Sequence, residues 1–408
     1  MPSVDPQLKR FLQQELRRQQ STLSLIASEN IASDAVLDIG ASVLSNKYSE
    51  GLPGKRYYGG NENVDAIERL AIARVKKIFR AEHANVQPHA GAIANLAVYD
   101  AFLKPGDKIL ALDLRSGGHL TMGHKRNVSG QWFSVVHYSV DAHGRIDMKQ
   151  VRQLAKTHKP KMVISGASAY PRVIDFAAFG RIAKSVGAIH FADISHIAGL
   201  VAAGVHLSPV PHADVVTFTT HKTLRGPRGA VILTKNKYAQ IIDRAVMPGV
   251  QGGPLDHMVA AKAQGFAEAL TSGFKKYQKQ VVRNAAVLAK QLVKRGGKIS
   301  TGGTDNHLML LDVTSFGLTG KQAEDMLGKI GLIVNMNVMP HDLRGPLDPS
   351  GIRIGTPSTT SRGLREKDMI NLGNIIVDCL TKARPVSLLK KEVARLTKKH
   401  PIYRQRTW

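Results

Sequence analysis

Two short stretches hold side chains whose types and spacing suit chemistry on a carbonyl group. The first is Asp193-Ile194-Ser195-His196, and the second is Thr219-Thr220-His221-Lys222-Thr223-Leu224-Arg225-Gly226-Pro227-Arg228-Gly229. A lysine that ends a β-rich run and is hemmed in by Thr, His and Gly is not an ordinary solvated lysine. Partial desolvation and cationic neighbours lower an amine's pKa and make it nucleophilic, so one role for Lys222 is a Schiff base. The companion role for Asp193 is to keep the ring nitrogen of pyridoxal phosphate protonated, so that the ring accepts electrons from a substrate carbanion. Taken alone, Asp193 and Lys222 are equally compatible with a structural ion pair.

The elements that must position these groups are legible around them. From about residue 85 to 235 short β-rich runs alternate with helical stretches, which predicts an α/β fold with a largely parallel sheet covered by helices. The clearest strands are 109–112, 162–165, 189–192, 215–219 and 231–234. Asp193, Thr220-His221-Lys222 and Ser116-Gly117-Gly118-His119 follow strands directly, and the carboxyl ends of strands are where ligands bind in open α/β sheets. Residues 259–296 read as one long helix with Ala, Val and Leu on one face and lysines on the other. Beyond it, strands at 307–313 and 333–335 and helices at 320–330 and 365–382 predict a smaller α+β unit. The segment 48–60, rich in Gly, Tyr and charge without periodicity, reads as a long functional loop. The expected organisation is an N-terminal arm (1–45), a large cofactor-binding domain (46–270) and a small C-terminal domain (271–408).

With 408 residues and 43% hydrophobic content the chain is an ordinary globular protein with room for a large core. A single cysteine, Cys379, excludes an intrachain disulfide and a thiolate zinc cluster. No metal site is expected. The first thirty residues lack a signal-peptide pattern, and no apolar run approaches a membrane span, so a cytoplasmic protein without membrane contact is expected. Charge is the unusual feature: 57 Lys and Arg against 31 Asp and Glu give +26. Residues 271–300 carry eight of these basic groups and no acid. No nucleic-acid motif accompanies the charge, so a solvated basic face is favoured and nucleic-acid binding stays an open alternative.

The order and spacing of several blocks resemble the serine hydroxymethyltransferase family from about Leu25 to Asp378. The blocks are Leu25-Ile26-Ala27-Ser28-Glu29-Asn30, Asn46-Lys47-Tyr48-Ser49-Glu50-Gly51, Pro53-Gly54-Lys55-Arg56-Tyr57-Tyr58-Gly59-Gly60, Gly117-Gly118-His119-Leu120-Thr121, the Thr-His-Lys segment, Gln251-Gly252-Gly253-Pro254-Leu255 and Ser350-Gly351-Ile352-Arg353. The resemblance implies an aspartate-aminotransferase-like fold with a seven-stranded, mainly parallel sheet. It also implies pyridoxal 5'-phosphate as cofactor and reversible transfer of the serine hydroxymethyl group to tetrahydrofolate, giving glycine. By the same resemblance Lys222 binds the cofactor covalently, Asp193 pairs with its ring nitrogen, His119 stacks on the ring, and Ser168 and His196 lie near its phenolic oxygen. His221 precedes the lysine in the catalytic segment. Gly91, Ala92, Gly252 and Gly253 would cradle the phosphate, the last two from a partner subunit. Arg353 would bind the substrate carboxylate with a planar fork that lysine lacks, with Ser28 nearby. Glu50 would act as acid and base at the hydroxymethyl group beside Tyr48 and Tyr58. Leu114, Gly118, Leu120 and Asn337 would contact folate. The Tyr48–Tyr58 loop serves the neighbouring subunit's site in the family, which implies a homodimer or tetramer.

Six residues, in three places, depart from the family. Ala90, Ala92 and Ile93 replace two hydroxyls and an amide in the phosphate cradle, Met336 replaces a usual lysine, and Lys125-Arg126 replace a more neutral pair. The alternatives to the main reading are an α-methylserine-type hydroxymethyltransferase, a folate-independent aldolase of 3-hydroxy amino acids, and a non-catalytic nucleic-acid-binding paralogue.

Overall fold

A computed structural model describes residues 4–407 and divides into two compact units, Ala32–Lys279 and Met1–Ile31 with Gln280–Trp408. The first is built on a seven-stranded sheet whose spatial order is His83–Asn85, Ala230–Thr234, Val215–Thr219, Ile189–Asp193, Met162–Gly166, Lys108–Leu112, Ser134–Tyr138. Ala230–Thr234 runs antiparallel to both its neighbours, and the other pairings are parallel. Met162–Gly166, Val215–Thr219 and Ala230–Thr234 are buried at every position, as strands covered on both faces must be. Ala94, Ala97 and Val98 of the helix Gly91–Phe102 pack into this core with Phe191, Val215 and Ile232.

The five strands expected from sequence are all present. The two that sequence reading missed, His83–Asn85 and Ser134–Tyr138, are the sheet's edges. One has three residues, and the other is exposed at Ser134 and His137 and fully buried only at Tyr138, so neither carries the continuous apolar run that marks a central strand. The helix expected over 259–296 is two helices, Asp256–Ala269 and Ser272–Lys294. Thr271 separates them: its hydroxyl accepts from the Phe274 N–H at 3.1 Å and donates to the Glu268 carbonyl at 2.7 Å. A hydroxyl that bonds backbone in this way competes with continuation of the helix. The segment 48–60 contains a hairpin, Gly51–Leu52 against Lys55–Arg56, closed by Pro53 and by Gly54 at φ +83°. Pro followed by Gly at positive φ is the residue pair of a type II turn.

The second unit has a four-stranded antiparallel sheet in the order Lys298–Ile299, Leu308–Asp312, Gly351–Gly355, Asn335–Asn337. Met309, Leu311, Ile352 and Ile354 are its inward-facing residues. The helices Gly320–Lys329 and Glu366–Leu380 add Ala323, Leu327, Met369, Leu372 and Ile376 to the same apolar core. The N-terminal residues join this core through Leu23 and Leu25, because Leu23–Ser24 pairs in parallel with Leu332–Ile333. Residues 1–3 of the expected arm lie outside the described residues. Among the described residues no helix is long and apolar enough to cross a membrane, and no group of three or more His, Cys, Asp or Glu is placed to hold a metal ion.

Candidate active site

Asp193 ends its strand between Gly166 and Thr217 of the neighbouring strands. Its carboxylate is buried and held from two sides. Oδ1 accepts from the Ser195 N–H at 2.9 Å, and Oδ2 accepts from the Asn95 amide at 2.9 Å. Asn95 also donates to the Thr121 hydroxyl at 2.8 Å and accepts from the Thr217 hydroxyl at 2.7 Å. Thr121 Oγ1 lies 2.7 Å from His119 Nδ1, which also accepts from the Thr121 N–H at 3.2 Å. With Nδ1 accepting, the ring's proton belongs on Nε2. A continuous chain thus runs from Asp193 through Asn95 and Thr121 to His119. Sequence reading missed the part played by Asn95.

Ser168 is placed by its N–H, which donates to the Gly117 carbonyl at 2.8 Å. Gly117 has φ +97°, and a Cβ there would stand 2.7 Å from the Ala169 carbonyl oxygen, so the turn beside His119 requires glycine. His196 is buried, and its carbonyl accepts from the Thr223 hydroxyl at 2.9 Å. The loop carrying Lys222 is closed by Thr220 Oγ1 donating to the Pro227 carbonyl at 2.6 Å and by Gln278 donating to the Thr223 carbonyl at 2.6 Å. Two buried polar atoms in this segment, Thr219 Oγ1 and His221 Nδ1, have no hydrogen-bond partner among the described residues. Burial, with Arg228 and Lys222 adding positive charge, pushes the His221 pKa down to about 3, so its imidazole is neutral at ordinary pH.

The helix Gly91–Phe102 begins beside this loop. Ala90 provides no side-chain cap, so the first-turn N–H groups of Gly91, Ala92 and Ile93 are free of the acceptor that capping supplies, as an anion site needs. A Cβ at Gly91 would lie 2.6 Å from the Thr219 Cγ2 atom, so glycine keeps this approach open. Uncapped donors, partnerless polar atoms, a lysine and a fixed carboxylate together fit a phosphate-bearing pyridine aldehyde.

A second cluster gathers Tyr48, Glu50, Tyr58, Gly252 and Gly253. Both phenols donate to the Glu50 carboxylate, each at 3.3 Å, and the two rings meet edge to face at 5.5 Å. The charge on Glu50 raises the Tyr58 pKa. A Cβ on Gly252 would come within 3.0 Å of Glu50 Oε1, and one on Gly253 within 3.3 Å of the Tyr48 ring. Tyr48 and Tyr58 remain 56% and 49% exposed within one chain.

Leu114 and Leu120 are exposed on either side of Gly117-Gly118. Gly118 packs directly on the Leu112 carbonyl, leaving no space for a side chain. In the second unit Arg353 lies at the centre of Gly351–Gly355, paired with Asn335, whose amide oxygen accepts from Arg353 Nε at 3.2 Å. Burial lowers the Arg353 pKa to about 10, which leaves the guanidinium charged near neutrality. Ser28 sits in a turn held against the same strand, since the Gly355 N–H donates to the Leu25 carbonyl at 2.7 Å. Asn337 ends the adjoining strand, with its amide donating to the Val338 carbonyl at 2.7 Å.

A family model described as serine hydroxymethyltransferase matches residues 1–376. The sequence is also similar to a curated serine hydroxymethyltransferase of Coprothermobacter proteolyticus. The two are 55% identical over 403 residues, covering 98% of this chain and 97% of that protein.

Proposed function

The chain belongs to the serine hydroxymethyltransferase family, enzymes that interconvert serine and glycine with transfer of the hydroxymethyl group to tetrahydrofolate, and on that premise we propose the part each residue plays. Pyridoxal phosphate, when bound, supplies an electron sink for the bond broken at the substrate's α-carbon. Lys222 holds its aldehyde through the ε-nitrogen. Asp193 keeps the ring nitrogen protonated, and Asn95 and the Ser195 N–H keep that carboxylate from turning away. His119 lies against the ring, with its orientation set by Thr121, while Ser168 and His196 serve the phenolic oxygen. Neutral His221 adds no charge that would compete with the amine beside it.

The phosphate meets the backbone N–H groups of Gly91 and Ala92 and, from a neighbouring copy, Gly252 and Gly253. Arg353 and Ser28 bind the amino acid, with the guanidinium fork on its carboxylate. Holding that group fixes which bond at the α-carbon is aligned for cleavage. Glu50 moves the proton at the hydroxymethyl oxygen, and Tyr48 and Tyr58 hold its carboxylate. Leu114, Gly118, Leu120 and Asn337 form the folate contacts. The exposed Tyr48–Glu50–Tyr58 cluster supports a homodimer or larger assembly in which this loop completes the neighbour's site.

The observation that carries the reading is the bonded chain Asp193–Asn95–Thr121–His119 beside the Lys222 loop and the open cradle at Gly91. Replacing Lys222 by alanine abolishes borohydride-fixable cofactor and serine turnover. Turnover that survives the replacement overturns the assignment. Glycine formation from serine that does not depend on tetrahydrofolate would point instead to the aldolase alternative.

A further inference from the structure

The carboxylate of Glu50 is held by two exposed phenols, yet the backbone beneath it is fastened at three successive carbonyls. The Glu50 carbonyl accepts from the Tyr57 N–H at 3.0 Å. The carbonyls before and after it, Ser49 and Gly51, both accept from a single nitrogen, Arg56 Nη1, at 2.8 and 2.7 Å. The rest of that guanidinium is anchored in the fold. Nε donates to Asp65 at 2.9 Å and Nη2 to Glu68 at 2.6 Å. The Arg56 side chain is only 4% exposed and Glu68 2%. Burial works against the charge on Arg56, but the two carboxylates outweigh it and raise its pKa. Gln87 closes the arrangement by donating to Gly51 O and Glu68 Oε1.

We propose that Arg56 is the positioning residue for Glu50, with its planar fork fixing the carbonyls of the residues before and after the proton-handling carboxylate. Asp65 and Glu68 occupy the charge of Arg56, so it sets where Glu50 stands without pairing with the Glu50 side chain. Lysine carries three donors on one rotatable atom and cannot reach two carboxylates and two carbonyls from fixed directions. The proposal rests on the reading that Glu50 moves the proton at the hydroxymethyl oxygen. Glycine has no such oxygen, and this gives an internal control.

The test is Arg56→Lys in the holoenzyme, read as kcat and KM for serine, as exchange of the glycine α-proton, and as the cofactor dissociation constant. The expected result is a loss of about tenfold or more in kcat for serine, with its KM, glycine exchange and cofactor affinity each within about threefold of the parent. In a Glu50→Gln background the same change costs less than about twofold, because residues acting through one group are not additive. Serine turnover and glycine exchange falling together, or a full cost in the Glu50→Gln background, overturns the proposal. Undiminished turnover in Glu50→Gln alone overturns the reading of Glu50 and the proposal with it. A large loss in Glu50→Gln beside unaltered Arg56→Lys overturns the proposal only. If Arg56→Lys does not fold, Asp65→Asn weakens the tether with the arginine in place, and the same split between serine turnover and glycine exchange decides the matter.

Discussion

Ala90, Ala92 and Ile93 bring neither hydroxyl nor amide to the phosphate cradle, so the proposed binding rests on backbone donors and on Lys222. A hydrogen bond to a charged group contributes about 1.5 to 3 kcal/mol. Ala92→Ser therefore lowers the cofactor dissociation constant by about tenfold or more, measured by titrating the apoenzyme. Arg353→Lys keeps the charge but loses the fork, and it raises the KM for serine by about tenfold or more in steady-state kinetics. At this scale Asp193 and Lys222 were legible as candidates because the first ends a β-rich run and the second follows one closely, both in polar company. Asn95 was not: it lies 98 residues from the carboxylate it holds, and no spacing rule joins them. Arg56 stood inside a recognised block, yet its partners Asp65 and Glu68 lie on the next helix, and only folding brings them to it.

The helix Asp256–Ala269 binds two loops of its own unit. Asp256 accepts from the Ser49 hydroxyl at 2.6 Å, and buried Lys262 donates to the carbonyls of Val86, Pro88 and Ala230 at 2.6, 3.0 and 3.0 Å. Burial pushes the Lys262 pKa from 10.5 down to about 7, with Glu68 opposing the shift. Between those two values the unfolded chain holds a proton that the folded one has released, leaving the amine two of its three donations, so stability rises with pH across that window. The urea midpoint of the parent therefore climbs relative to Lys262→Met as pH rises from about 7 to about 9, and parallel curves would refute the assignment. Thr271→Ala removes the cap between the two helices and costs about 1 kcal/mol in unfolding experiments. Thr271-Ser272-Gly273 marks that break in the sequence, but the helical apolar spacing resumes at once with Phe274, Tyr277 and Val281, so the two helices read as one. The expected parallel strands were visible because burial on both faces writes an unbroken apolar run. The edge strands and the hairpin at Gly51–Arg56 owe their form to pairing and turn geometry, which such runs do not record.

At the scale of the whole molecule, the proposed sharing of Glu50 between subunits has a measurable consequence. Lys222→Ala is expected to be inactive and Glu50→Gln to keep only a small residue of serine turnover. A hybrid dimer of the two has one site carrying both changes and one carrying neither, so equal mixing after reversible dissociation regains about a quarter of the parent activity. No recovery would place both residues in a single subunit's site. The charge of +26 belongs to this scale too. If the basic surface steers polyanionic folates, added salt slows association of a polyglutamate form more than of the monoglutamate in stopped-flow measurements. Charge was legible from composition, whereas the pairing of Leu23–Ser24 with Leu332–Ile333 was not, because neither two-residue strand has a local pattern of its own.

The two attachments on the helix Asp256–Ala269 make it a gauge. Asp256 and Lys262 stand six positions apart, about 9 Å of helix, and each added or removed residue would turn one attachment about 100° away from the other. Insertions and deletions are therefore barred from this short interval even when every side chain named above is retained, and natural variation in chain length must fall elsewhere.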